Sequence, residues 1–370
     1  MKNILVEKLS LWQLFILIFI FEIGSAAVVS TGNDAKQDAW IALGVAMIFG
    51  LGIGLFFHFL LSRAPGKNLF EIFQLCLGKW MGGALIIMYI LYFIYIASRV
   101  LRDFCELITS FIFEQTPVEF VAITMVVVII YMLYLGIEVM GRTSEIFIPY
   151  FFSFIIIIGI AVFISGEMEF TNLLPILGEG IKPVVKAVFP QLLTFPFGEL
   201  IAFTLIIPYT SEFKKSKKII LLAVFASGLI LIYNAILQIA TLGVQMRARS
   251  NFPLLSSARE ISLLEFIERV DLIVVFIVMY GIIIKVGVFF YGALKGLELL
   301  SKRPYRMHVV PLGAIITFLS VKISDNFAEH IEEGLIVVPM FLHIPFQFIL
   351  PLLILPILLW KTKKSKEGRE

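Results

Sequence analysis

Two glutamates stand beside glycine in stretches that are otherwise apolar. Glu22-Ile23-Gly24-Ser25-Ala26 interrupts the run over residues 11–31, and Phe195-Pro196-Phe197-Gly198-Glu199 interrupts the run over 187–207. A membrane helix keeps its backbone hydrogen bonds because lipid offers no replacement partner. Proline removes one donor, glycine loosens the backbone, and a break leaves N–H and C=O groups facing inward at the ends of half-helices. The N-terminal ends of such half-helices favour an anion and the opposite ends a cation. Each glutamate adds a carboxylate near mid-bilayer. Paired interruptions at matching positions of two halves point to a transporter-type binding site built from broken helices. The plainer alternative is a proline kink in one run and a glycine packing notch in the other.

Other charges lie where a bilayer would be. Arg99, Arg102, Asp103 and Glu106 follow an i, i+3, i+4, i+7 spacing that sets all four on one helical face. Local pairing of Asp103 and Glu106 with Arg99 and Arg102 would lower their cost in the membrane. The stripe is either an internally neutralised end of a long helix or one wall of a polar vestibule, facing a cavity being the default for ionisable groups in spans. Lys285 stands alone between Ile284 and Val286. It needs a carboxylate, carbonyls or water, with Glu22 a candidate partner, or else it reaches headgroups at the cytoplasmic rim. Glu138 and Arg142 form an ordinary i, i+4 pair. His58, His308, His330 and His343 show no metal-ligand spacing and are assigned no role. No nucleophile elbow, phosphate loop or zinc motif is present, so neither an enzyme nor a cofactor or metal is expected.

The elements that must position these residues are apolar helices. The chain is 60% hydrophobic and 15% charged, against roughly 25% charged in soluble domains, with a mean hydropathy of +0.99. This is an all-α polytopic membrane protein with no room for a sizeable soluble domain. Ten runs have about the 20 residues a bilayer core requires: 11–31, 39–61, 83–112, 118–136, 146–165, 187–210, 218–243, 270–293, 308–323 and 335–360. The first apolar run is too long for a cleavable signal peptide and lacks its small-residue site. Two cysteines, Cys76 and Cys105, imply no disulfide framework.

Lysine and arginine fix the expected orientation. With the N-terminus inside, 19 fall on the cytoplasmic side and eight outside, which places both termini in the cytoplasm. The Lys214–Lys218 cluster then reads as an anchor at an anionic lipid surface rather than a nucleic-acid site. The outer segment 166–186 is expected to be a structured cap or short re-entrant helix. The amphipathic run 254–267 is expected as a helix over the outer mouth, or a surface helix with no gating role. The connection 324–333 reads as acidic and solvated, and the basic tail 361–370 as disordered.

Ten spans with breaks in the first and sixth resemble the five-plus-five inverted repeat of the amino acid–polyamine–organocation superfamily, a LeuT-like fold, here with halves 11–165 and 187–360. More narrowly, the chain resembles the B subunit of bacterial spore nutrient-germinant receptors, the spore germination permease family. The matching features are Gly24-Ser25, the stretch from Arg99 to Glu106 followed by Thr116-Pro117, and Phe195-Pro196-Phe197-Gly198-Glu199. Phe266-Ile267-Glu268-Arg269-Val270-Asp271, leading into the span with Lys285, completes the series. The resemblance implies a subunit in the spore inner membrane beside a large A subunit and a lipoprotein C subunit, sensing an amino acid, sugar or nucleoside. A transporter fold can serve as a receptor, so transport is not implied by the fold.

On that reading, Gly24, Ser25 and Ala26 would hold the carboxylate of an amino acid. Carbonyls of 195–197 and Glu199, beside Gly198, would take its ammonium group. Phe195 and Phe197 would supply apolar walls, with Tyr92 or Tyr95 closing one side. Lys285 occupies the helix that helps form a cation site in sodium-coupled relatives, so its ammonium would replace sodium. The rival is a stand-alone proton- or ion-coupled amino acid transporter using Glu22, Glu199 and Lys285 as a relay. A third reading is a scaffold with a vestigial pocket.

Overall fold

The computed structural model describes residues 8–27, 29–259 and 270–367, and every regular element among them is a helix. Helix α1 (Leu11–Ile23) begins where Ser10 and Gln13 cap each other. The Ser10 hydroxyl accepts from the Gln13 N–H, and the Gln13 side chain accepts from the Ser10 N–H, both at 3.0 Å. It stops at Gly24, whose N–H donates to the Ile20 carbonyl at 2.8 Å. A single 3-10 turn follows at Ser25–Ala27. α-Helix resumes only at α2 (Ala39–Ser62), after a 3-10 stretch at Asn33–Asp38. The run is thus broken at Gly24, as its interruption at 22–26 predicts, and among the described residues no α-helix follows the break before residue 39.

Helix α3 (Leu69–Phe111) starts earlier than its apolar run because Asn68 and Glu71 form a second capping box. A left-handed Gly78 (φ 77°) divides it into 69–77 and 79–111. Helices α4 (Val118–Leu135) and α5 (Ile137–Ser165) complete the first half. Segment 166–186 folds into a cap, with a 3-10 turn at Phe170–Leu173 and the short α6 (Lys182–Ala187). Lys36–Glu179 (2.5 Å), Lys186–Asp34 (2.8 Å) and the Leu177 N–H on Asp38 (3.0 Å) hold it against the 33–38 turn.

The sixth span, Lys182–Leu205, passes from α6 into a π turn at Val188–Leu192. It turns at Phe195-Pro196 and continues as a 3-10 helix, Phe197–Leu205. Then come α7 (Phe213–Arg249), α8 (Pro253–Arg259), α9 (Val270–Ser301), α10 (Val309–Lys322) and α11 (Phe327–Glu332). Two π stretches, Glu333–Val337 and Pro339–Ile349, lead into α12 (Leu350–Glu367). Helix α12 carries the described part of the basic tail as helix rather than disorder. The Phe266–Asp271 motif and most of the amphipathic run to residue 267 lie outside the described residues or among side chains not described.

Eight of these segments are long and apolar enough to cross a membrane. A bent pair, Val309–Lys322 with Phe327–Val337 at 112°, makes a ninth, and the shorter Leu11–Ala27 completes the ten runs read from sequence. The broken spans lie inside: α1 packs on α5, α7 and α9, and the 197–205 helix packs on α2 and α9. Without a hydrophobic force between helices in lipid, close approach at small residues drives packing. At the centre Gly24 meets Gly281 of α9, where an added Cβ would lie 3.0 Å from the Gly24 Cα.

Candidate functional site

Both breaks open onto one small cavity of about 50 Å³, below the roughly 300–1,000 Å³ of small-molecule sites, so in this state the walls are closed and must part to admit a ligand. The first break contributes Ser25 and Val29, and the second contributes Phe195 and Glu199. Helix α3 adds Ile96, Arg99, Val100 and Asp103. The chain from α11 onward adds His330, Ile331, Gly334, Leu335, Val338 and His343. The Ser25 hydroxyl is fully buried and has no protein partner among the described residues. It is a donor and acceptor held ready at the end of α1.

At one end of the cavity, α3 is tied to the bent ninth span by an ion pair and a histidine–carboxylate hydrogen bond. Arg99 Nη1 donates to Glu333 Oε2 at 2.7 Å and to the Tyr95 hydroxyl at 3.2 Å, while its other terminal nitrogen donates to the His330 carbonyl. His330 Nε2 lies 2.8 Å from Asp103 Oδ1. The stripe on α3 is thus only partly self-neutralised. Arg102 and Glu106 pair locally at 3.4 Å, as the spacing predicts, but Asp103 and Arg99 find partners more than 220 positions away. Nor is the 324–333 connection simply solvated, since Glu333 and buried His330 belong to this roof.

The opposite side is built on Lys285. Its ammonium lies 2.6 Å from Glu199 Oε2, with 0% and 1% of the two side chains exposed. The approach is an ion contact outside hydrogen-bond angles, as neither atom has a hydrogen-bond partner. Lys285 Nζ also lies 4.4 Å from the Phe195 ring centre and 5.2 Å from that of Phe21, faces that attract a desolvated cation. Glu22 was the partner expected from sequence. It is fully buried nearby, but both its carboxylate oxygens lack a hydrogen-bond partner among the described residues.

Several residues singled out from sequence lie behind the cavity wall. Gly24 packs against Gly281 and the Lys285 side chain, and buried Ala26 does not line the cavity. Phe197 covers Gly50, where an added Cβ would fall 2.7 Å from its ring, and a Cβ on Gly198 would collide with Gln347. The Tyr92 hydroxyl bonds His343 Nδ1 (2.7 Å) and accepts from Gln347 (3.0 Å), and its ring stacks on Phe346. Tyr95 serves Arg99 and Glu333. Tyr92 thus braces His343, and Tyr95 the Arg99–Glu333 pair.

His330, His343, Glu333 and Gln347 were not assigned from sequence. His343 and Gln347 did carry a signal: two polar residues one helical turn apart in an apolar run, so on one face. His330 and Glu333 carried none, because only the bend after α10 turns them inward.

Solved structures place this architecture. MhsT in complex with L-phenylalanine superposes with a TM-score of 0.65 over 94% of this chain and 86% of that one, at 15% identity. Mhp1, a nucleobase-cation-symport-1 family transporter with bromovinylhydantoin bound, gives 0.57 over 97% and 94%, at 13% identity. The fold is that of the LeuT-like transporters, with the first and sixth spans broken. Within that class the sequence is more specific. The family model described as "Spore germination protein" matches residues 8–328. Spore germination protein KB of Bacillus subtilis (strain 168) is 36% identical over 98% of this chain and 97% of its own length. Spore germination protein YndE of the same organism is 25% identical over 91% of each. The chain belongs to the spore germination protein family and is an integral membrane protein.

Proposed function

We propose that this protein is the nutrient-sensing membrane subunit of a spore germinant receptor and binds a small nutrient, an amino acid first of all, in the cavity between its two broken spans. The observation that supports this most is the convergence of Ser25 from one break and Glu199 from the other on one cavity with apolar walls. A ligand with an anionic and a cationic end fits that polarity. Its carboxylate would meet the Ser25 hydroxyl and N–H, the Gly24 N–H being engaged by Ile20 and Ala26 lying outside the cavity lining. Its ammonium group would approach Glu199 and the carbonyls of 195–197, with Phe195, Val29, Ile96 and Val100 around its side chain.

A ligand held by both breaks shifts the population between closed and open forms by its different affinity for them. The roof that ties Arg99 and Asp103 to the ninth span is the element placed to report this. The resemblance supplies the receivers, a large A subunit and a lipoprotein C subunit in the spore inner membrane. In this reading residues 11–165 and 187–360 act as the two inverted repeats, both termini are cytoplasmic, no catalytic turnover is involved, and Lys285 takes the place of a coupling sodium ion.

Spores carrying Glu199→Gln, tested on amino acids, sugars and nucleosides, provide the test. The expected result is loss of response to one nutrient class, with normal abundance of the protein and an intact response to a non-nutrient trigger. An unchanged dose–response to the nutrient whose sensing the gene deletion abolishes would refute the role given to Glu199.

A further inference from the structure

Two carboxylates and one ammonium group share the buried centre between the breaks. Lys285 lies against Glu199 at 2.6 Å. Glu22, two residues before Gly24, is completely buried and neither oxygen has a protein hydrogen-bond partner among the described residues. The charged groups acting on Glu22 are Lys285 of α9 and Glu199 of the sixth span. One ammonium can neutralise only one carboxylate, and an unpaired buried charge is penalised by several kcal/mol. With both glutamates ionised this centre would carry an uncompensated negative charge.

We infer that Glu22 is a proton-binding site, protonated in this state, and that it releases its proton when a cationic ligand group takes Glu199 from Lys285. The geometry offers the exchange a track. The Lys285 ammonium lies between the faces of Phe195 and of Phe21, the residue next to Glu22. A lysine displaced from Glu199 therefore passes along an aromatic face toward Glu22. The charges balance at each stage. Before binding, neutral Glu22, anionic Glu199 and cationic Lys285 sum to zero. Afterwards the ligand ammonium pairs with Glu199 and Lys285 with ionised Glu22, each pair summing to zero, while the ligand carboxylate at Ser25 and the half-helix end carries the single negative charge that the released proton leaves behind. One carboxyl O–H bond is broken and its proton passes to water.

This inference rests on the proposed ammonium contact at Glu199, and the experiment separates the two. Full-length protein in lipid nanodiscs is titrated calorimetrically with L-alanine, L-valine, L-leucine and L-phenylalanine, in buffers of different ionisation enthalpy. The expected result is close to one proton released per amino acid bound. Glu22→Gln, which mimics the protonated side chain but cannot receive Lys285 as an anion, is expected to fold with an unchanged thermal midpoint, to bind more weakly, and to release no proton. Binding without proton release, equal release from Glu22→Gln, or failure of that variant to fold would each overturn the inference. Infrared spectroscopy of the ligand-free protein reads the proton without any ligand. A protonated-carboxyl carbonyl band, lost in Glu22→Gln, is expected, and its absence from the wild type overturns the inference. If no amino acid binds while that band is present, the ligand reading fails and the proton site on Glu22 stands.

Discussion

Lys285 leaves α9 between Ile284 and Val286 and ends against Glu199, so one side chain joins α9 to the broken sixth span in a place water does not reach. Removing a single partner of such a pair strands a charge and costs about 3–5 kcal/mol, whereas replacing both by apolar groups is often neutral. Lys285→Met alone is therefore expected to lower the thermal midpoint of the purified protein sharply, and Lys285→Met with Glu199→Leu to recover most of it while binding no nutrient. Equal stability of the single and double variants would contradict the coupling. Asp103→Asn acts at the other end of the cavity, weakening the contact to His330. A hydrogen bond to a charged group contributes about 1.5–3 kcal/mol. The variant is expected to respond only at higher nutrient concentration, read as a shifted germination dose–response.

At the scale of elements, the two broken spans are held at more than one level. Near the start of α1 a short parallel bridge joins Leu9 to Thr210, just beyond the sixth span, with the Leu9 N–H on the Tyr209 carbonyl (3.1 Å) and the Ser211 N–H on the Leu9 carbonyl (2.9 Å). Beyond the break, buried Arg247 of α7 gathers the irregular segment by bonding the Thr31 carbonyl (2.7 Å), Asn33 (2.8 Å) and Gln238 (3.0 Å). Asn234 adds a bond to the Ala27 carbonyl. Arg247→Ala is expected to loosen this segment, seen as faster tryptic cleavage after Lys36 with the remaining spans intact. The apolar runs and both breaks are legible in the sequence, because lipid forces helix and Gly24 and Pro196 stand out as its breakers beside a carboxylate. The early start of α3 was missed, since residues 69–77 are too short to register as a span and Gly78 hides the joint. Partners such as Glu333 for Arg99 and Glu199 for Lys285 arise from folding of distant segments, which no local spacing encodes.

Taken whole, the molecule has a transporter's architecture with an ammonium fixed beside its site. Replacing sodium by potassium or choline is expected to leave amino acid binding and nutrient response unchanged, and a steep sodium dependence would remove Lys285 from the role assigned to it. Proteoliposomes carrying the protein alone are expected to show no accumulation of the sensed nutrient, and robust uptake would favour the stand-alone transporter. The contact of Gly24 with Gly281 bears on how such a receptor acquires new tastes. Where backbone meets backbone there is no side chain to exchange, so this contact offers nothing for mutation to adjust. In the proposed role, diversification of the nutrient response falls to the replaceable lining at Val29, Ile96, Val100, Ile331 and Leu335, five positions that can be reshaped one methyl group at a time while the backbone contact stays the same.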